Sequence, residues 1–273
     1  MKRKEIRVCI LRVGGTNCDA ETKRAFQESG MKAEVVHFNQ LTKTKGLLDF
    51  NILVIPGGFS HGDYVRAGAI WATQFNATLK EELSQFVEEG RPVLGICNGF
   101  QVLVEAGLLP QFEGRNPFPE AALASNNPPG YNCRWVYLRH ESSSNKCVFT
   151  REIPVGSILR IPIAHAEGRF IFKKEKEEKY LKKLLDNDQL IFRYCHPNGK
   201  SAEGEYPANP NNSFYDIAGI SAPSGTVFGL MPHPERAYFG WQLPDWTKSG
   251  IMPTFGDGRL IFESVAKYLT KKF

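Results

Sequence analysis

The chain has 273 residues, 42% of them hydrophobic, which is enough apolar material to bury a full core at a length that fits one large domain spanning 1–273. Its net charge of +5 is small and spread over short clusters such as Lys2-Arg3-Lys4, too weak a field to indicate nucleic acid. Six cysteines at positions 9, 18, 97, 133, 147 and 195 form no Cys-x-x-Cys pair, so their spacing suggests neither a zinc site nor a disulfide scaffold, and no apolar run is long enough to span a bilayer.

A charged tripeptide leads straight into the strand-like run Ile6 to Arg12, without a signal-peptide apolar region, so an unprocessed chain in a reducing, cytoplasmic compartment is expected. Next come a helix from about Ala20 to Ser29, strands at Glu34 to Phe38 and Ile52 to Ile55, a helix around Leu79 to Glu89, and a strand at Val93 to Ile96. This alternation predicts an α/β fold, doubly wound, with a mostly parallel sheet flanked by helices and a smaller antiparallel β element later in the chain. Residues 110–132, rich in Pro, Asn and Gly, read as a surface excursion. Shorter β-like runs follow at Cys133 to Leu138, Ile158 to Ile163, Leu190 to Tyr194, Ile217 to Ser221 and Val227 to Met231. An alternating-charge helix lies at Lys173 to Lys183, a loop at Pro197 to Ser213, and a closing amphipathic helix from about Gly258 to Leu269.

In such sheets the loops at the carboxyl ends of the strands carry the chemistry. The turn Gly95-Ile96-Cys97-Asn98-Gly99 joins a buried strand to the helical run ending before Gly107, and its glycines permit a sharp corner where backbone crowds backbone. A free cysteine ordinarily packs as a small core hydrophobe. Here the corner and the helix N-terminus behind it, whose free N–H groups favour a negative sulfur, point to Cys97 as a nucleophile. Downstream, Pro232-His233-Pro234-Glu235 ends a strand with an imidazole and a carboxylate two residues apart, able to share a face. His233 then serves as base and Glu235 as its orienter, a Cys-His-Glu logic more specific than either half. The attacked carbonyl needs N–H donors already in place. The loop Pro56-Gly57-Gly58-Phe59 after the Ile52 strand supplies one, in the Gly58 and Phe59 region, and Asn98 the other.

These residues resemble class I, triad-type glutamine amidotransferases, which carry Gly-x-Cys-x-Gly-x-Gln and a later His-Pro-Glu. Within them the chain is similar to the glutaminase subunits of phosphoribosylformylglycinamidine synthase. The motifs run in order through nearly the whole chain, from Asn17-Cys18-Asp19, Pro56 to Ile70 and Gly95 to Gln101, through Cys133-Arg134-Trp135 and Ile163 to Gly168, to Asp216 to Ile220 and Met231 to Ala237. His61, Ala166 and Asn212 depart from them, and the stretches near 117–129 and 195–211 are longer than in short bacterial forms.

The resemblance implies a flavodoxin-like fold, Cys97 as nucleophile, His233 as base and later acid, Glu235 as orienter, and Gln101 as a residue holding L-glutamine. It implies hydrolysis of glutamine to glutamate and ammonia through a cysteinyl thioester. The ammonia passes to a large synthetase subunit, with a small accessory subunit in the complex, for ATP-dependent conversion of formylglycinamide ribonucleotide in purine (IMP) biosynthesis. No cofactor and no metal are expected in this chain, ATP and Mg being used by the partner, and no Gly-x4-Gly-Lys-Ser/Thr phosphate loop is present. The rivals are a glutaminase serving a different synthetase, a PfpI-like cysteine hydrolase, which lacks the late His-Pro-Glu, and a regulatory subunit that only binds glutamine or its partner.

Overall fold

A computed structural model describes residues 1–41, 43–114, 118–250 and 252–273. In chain order the strands are β1 Arg7–Arg12, β2 Lys32–His37, β3 Ile52–Ile55, β4 Val93–Ile96, β5 Ala122–Ser125, β6 Asn132–His140, β7 Ile158–His165, β8 Glu167–Ile171, β9 Leu190–Cys195, β10 Ile217–Ser221 and β11 Val227–Leu230. The helices are α1 Asp19–Glu28, α2 Phe38–Leu41, α3 Ala69–Thr78, α4 Lys80–Glu88, α5 Asn98–Glu105, α6 Glu177–Asp186, α7 Trp246–Ser249 and α8 Arg259–Lys272.

Nine strands form one sheet in the order β2-β1-β3-β4-β11-β10-β9-β6-β7. The half from β2 to β11 is parallel, and its inner strands β3 and β4 are buried along their whole length, which is why they read in sequence as unbroken apolar runs. From β11 onward the pairings are antiparallel, and the outer strands β6 and β7 alternate inward and outward residues. The separate antiparallel element is the two-stranded sheet β5-β8. β5 lies inside the stretch read as a surface excursion, and the insertion that begins at Pro117 starts outside the described residues.

From β1 the chain steps to β2 on one side of the sheet, and from β3 to β4 on the other. Right-handed crossovers then put the intervening helices on opposite faces and leave the order reversing between β1 and β3. α1 packs with α8, while α3 packs against α5. The loops after β1, β3, β4 and β11 therefore leave one edge of the sheet together. Backbone bonds knit the first two: Phe59 N–H donates to Gly15 O at 2.9 Å, His61 N–H to Gly14 O at 2.8 Å, and Cys18 N–H to Gly57 O at 3.2 Å. Among the described residues no helix is long and apolar enough to cross a membrane.

Candidate active site

Cys97 stands at the end of β4 and caps α5, with φ 51° and ψ −106°. A side chain in that region is strained, and the strain persists because neighbours fix both ends of the turn. Cys97 N–H donates to Leu230 O at 2.8 Å on β11, and Gln101 N–H to Cys97 O at 3.1 Å. The corner pushes the sulfur into a cleft where it is 5% exposed and its thiol donates to Ala164 O at 3.8 Å. A larger surface cleft, about 510 Å³ over Arg12, Gly14 and His37, is lined by no cysteine. The chemistry selects two small cavities instead, about 60 and 30 Å³, that meet at Cys97.

His233 follows β11, and its N–H donates to Pro162 O at 2.8 Å on β7, so its backbone is tied to the antiparallel half of the sheet. Its Nδ1 and Glu235 Oε1 lie 2.6 Å apart, both side chains buried, as their spacing predicts. The His233 Nε2 is buried with no hydrogen-bond partner among the described residues, and the Cys97 sulfur lies beside the ring without reaching strict hydrogen-bond geometry. Burial alone would push the imidazole toward neutrality. The Glu235 carboxylate and then the Cys97 sulfur outweigh it and hold the His233 pKa well above its ordinary value.

For the oxyanion, the structure narrows the expected donors. The Phe59 amide is committed to Gly15 O, which corrects the sequence assignment of Phe59 as a donor. Among the described residues Gly58 N–H has no backbone acceptor, and Asn98 N–H is the first amide of α5, free by helix geometry. The Asn98 side chain ties the two loops together: its Oδ1 accepts Ser60 N–H at 3.2 Å, and its Nδ2 donates to Gln101 Oε1 at 2.9 Å and Asp63 Oδ1 at 3.3 Å. Gln101 lines the larger cavity, but its Nε2 donates to Glu167 O, so its amide holds the 164–167 segment in place.

Three features were not legible from spacing. Asp63 and Glu167 face the larger cavity together, Glu167 Oε2 accepting Ala67 N–H at 3.1 Å. Burial, and then the Glu167 charge, push the Asp63 carboxyl up to about 6. His165 is buried in the same wall with Nδ1 3.1 Å from Asn126 Oδ1, and burial pushes its pKa down to about 3, so the ring is neutral. That Asn126 oxygen also accepts Gly168 N–H, which makes Nδ1 of His165 the donor and leaves Nε2 a lone pair. His61 instead turns to Gln74 Oε1 at 3.1 Å, and Cys18 lies against His233 on the flank formed by Gly57.

Residues 5–269 match the CobB/CobQ-like glutamine amidotransferase domain family. The phosphoribosylformylglycinamidine synthase subunit PurQ of Archaeoglobus fulgidus is 46% identical over 99% of this chain and 100% of its own. That of Methanothrix thermoacetophila is 42% identical over 98% and 99%. Among solved structures, PurLQS from Thermotoga maritima contains a chain similar over 98% of this chain and 100% of that one, at 32% identity and a TM-score of 0.71. With a family match across almost its whole length and relatives above 40% identity covering it end to end, the chain belongs to the CobB/CobQ-like glutamine amidotransferases.

Proposed function

We propose that the chain acts as one glutamine amidotransferase domain, the glutaminase subunit of phosphoribosylformylglycinamidine synthase in purine biosynthesis, working in the cytoplasm. The observation that carries the chemistry is the meeting, in one buried cleft, of an elbow cysteine, an imidazole with an open Nε2, and the carboxylate that orients it. The relatives support the assignment to that synthase: those above are named as its PurQ subunits, and the similar solved chain belongs to PurLQS.

In this reading glutamine lies along the larger cavity with its side-chain amide at Cys97. As the sulfur swings from Ala164 O toward the substrate its proton passes to the open Nε2 of His233, the C–S bond forms, and the new oxyanion is held by Gly58 N–H and Asn98 N–H. His233, now carrying that proton and steadied as the imidazolium by the Glu235 carboxylate, gives it to the departing nitrogen. The C–N bond breaks and ammonia leaves. The now neutral imidazole takes a proton from water, whose oxygen attacks the thioester carbonyl, and glutamate leaves as the C–S bond breaks. Glu235 keeps Nδ1 protonated throughout and so keeps Nε2 toward the reacting atoms. ATP and Mg belong to the synthetase subunit's half of the reaction.

Asp63 and Glu167 supply negative charge where the α-ammonium of glutamine lies. Asp63→Asn is expected to raise KM for glutamine about tenfold, the worth of one partly solvated charge contact, with kcat changed less. The same variant stabilises the fold. The Asp63 pKa is raised on folding from 3.8 to about 6, so the folded chain holds the extra proton and stability falls as pH rises through that window. Removing the carboxyl restores roughly 1 kcal/mol at neutral pH after screening at this partly buried position. Urea unfolding beside glutamine kinetics checks both halves; a variant with unchanged KM removes Asp63 from the substrate site.

The function itself is tested by assembling the chain with the large and small subunits and supplying glutamine labelled with ¹⁵N in the side-chain amide. Label is expected in the amidine product, dependent on ATP and formylglycinamide ribonucleotide. Glutamate release with no label reaching that product would overturn the assignment of the synthetase.

A further inference from the structure

Cys18 is the buried nucleophilic group the reaction does not use. It caps α1 and shares the smaller cavity with Cys97 and Gly58, and its thiol lies against the ring of His233. A sulfur, an imidazole nitrogen and a carboxylate oxygen, from Cys18, His233 and Glu235, all lie within 4.8 Å of one another. The three residues are 2%, 1% and 1% exposed. The imidazole nitrogen that faces the carboxylate is Nδ1, 2.6 Å from Oε1, and Glu235 keeps a second buried oxygen, Oε2, with no partner among the described residues. We propose that Cys18, His233 and Glu235 form a site for a soft divalent cation of the zinc class, whose occupation switches the glutaminase off.

The donor set is the one such ions select. Thiolate, imidazole and carboxylate bind zinc at about 2.0–2.3 Å, which in a tetrahedron sets the donors roughly 3.3–3.8 Å apart, so His233 Nδ1 and Glu235 Oε1, now 2.6 Å apart, must part by about 1 Å as Nδ1 gives up its proton, and the sulfur must close by about as much. Gly57 makes the approach possible: a Cβ there would stand 2.7 Å from His233 Cε1 and 3.1 Å from the Cys18 sulfur. The adjoining cavity of about 30 Å³, bounded by Cys18, His233, Cys97, Tyr131 and Arg236, leaves room for a fourth ligand, water or the Cys97 sulfur. Arg236 Nη2 donates to the Cys18 sulfur at 3.0 Å, an N–H that steadies a thiolate once the metal has displaced its proton to solvent. Arg236 also pairs with Glu21 at 3.2 Å, so its charge is partly answered there. A cation on this set ties up the imidazole and the carboxylate that orients it, and the proton relay to the leaving nitrogen stops.

The inhibitory half rests on His233 as the base; the binding half does not, and the two are read separately. The full-length chain carrying Cys133→Ser, which removes the exposed thiol, is titrated with Co²⁺. A thiolate-to-cobalt charge-transfer band is expected at one equivalent, displaced by Zn²⁺. It should persist in Cys97→Ala and be lost in Cys18→Ser and in His233→Asn. In the assembled complex Zn²⁺ should inhibit glutamine hydrolysis reversibly by chelator, and Cys18→Ser should turn over normally while needing at least about tenfold more Zn²⁺. A band that survives in Cys18→Ser but vanishes in Cys97→Ala would put the metal on the nucleophile and overturn the site, as would the absence of any band in the parent. A band at Cys18 without inhibition would preserve the site and remove its control of the base.

Discussion

Cys97→Ala is expected to abolish glutamine-dependent amidine synthesis by the assembled complex, by at least about 10³-fold, while synthesis from a high concentration of ammonium salt continues near the parent rate. The asymmetry follows from where the sulfur sits. Thioester formation needs a nucleophile within reach of Gly58 N–H and Asn98 N–H together, and the elbow places only residue 97 there. Cys18, the nearest other thiol in the cleft, is on the far flank of the imidazole with its sulfur held by Arg236 and Asn17. The synthetase's own reaction asks only for ammonia, which external salt supplies. The substitution leaves the backbone as it was, because alanine keeps the Cβ and loses one long contact to Ala164 O. Unchanged thermal unfolding would therefore accompany the loss. Glutamine-dependent synthesis surviving in the variant would remove the thioester from the mechanism, and loss of the ammonia-dependent rate would mean that the variant fails to assemble.

How much of this was legible in the chain depended on whether the decisive contact was local. β3 and β4 read to the residue, because strands covered on both faces must be apolar throughout, and Ile52–Ile55 and Val93–Ile96 have no other plausible packing. The helix α3 was missed. Its apolar residues Trp71, Ala72 and Phe75 are buried, but others such as Ala69, Ile70 and Ala77 scatter around the cylinder and no capping side chain marks its start. β5 was read as loop because its neighbours are Pro, Asn and Gly; its pairing with β8 joins Ala122 to Ile171, a contact that local pattern does not carry. The alternating-charge helix was read from Lys173, whereas a 3-10 turn at Lys174–Lys176 precedes α6. In the site the same division holds. Cys97, His233 and Glu235 announce themselves through neighbours in sequence, glycines at a corner and a carboxylate two residues on. Asp63, Glu167 and Cys18 reach the cleft from separate elements, and Phe59 lost its assigned part because its amide found Gly15 across a loop 44 positions away.

The second large effect lies in the backbone that holds the elbow. Gly99→Ala is expected to cost about 3 kcal/mol or more of stability and to reduce glutaminase turnover at least about a hundredfold. On helix propensity alone alanine would be favoured over glycine, by about 1 kcal/mol in a helix interior. The clash reverses the sign. A Cβ on residue 99 would stand 1.8 Å from Ile55 O and 2.7 Å from its carbonyl carbon, and neither is the end of a flexible side chain. Main chain of α5 lies directly on main chain of β3, so one of the two must move. Movement of α5 carries with it Asn98, whose N–H serves the oxyanion and whose side chain holds the Ser60 and Asp63 loop, and Cys97 itself. Moving β3 instead disturbs the strand on which Gly57 and Gly58 follow. Gly14→Ala, in the loop after β1, is the matched control: nothing lies within 4 Å of its Cβ, and its stability should stay within about 0.5 kcal/mol of the parent. Urea unfolding and glutamine hydrolysis measured on both variants separate the two positions. Parent-like stability and turnover in Gly99→Ala would mean that the nucleophile is positioned by something other than this backbone contact.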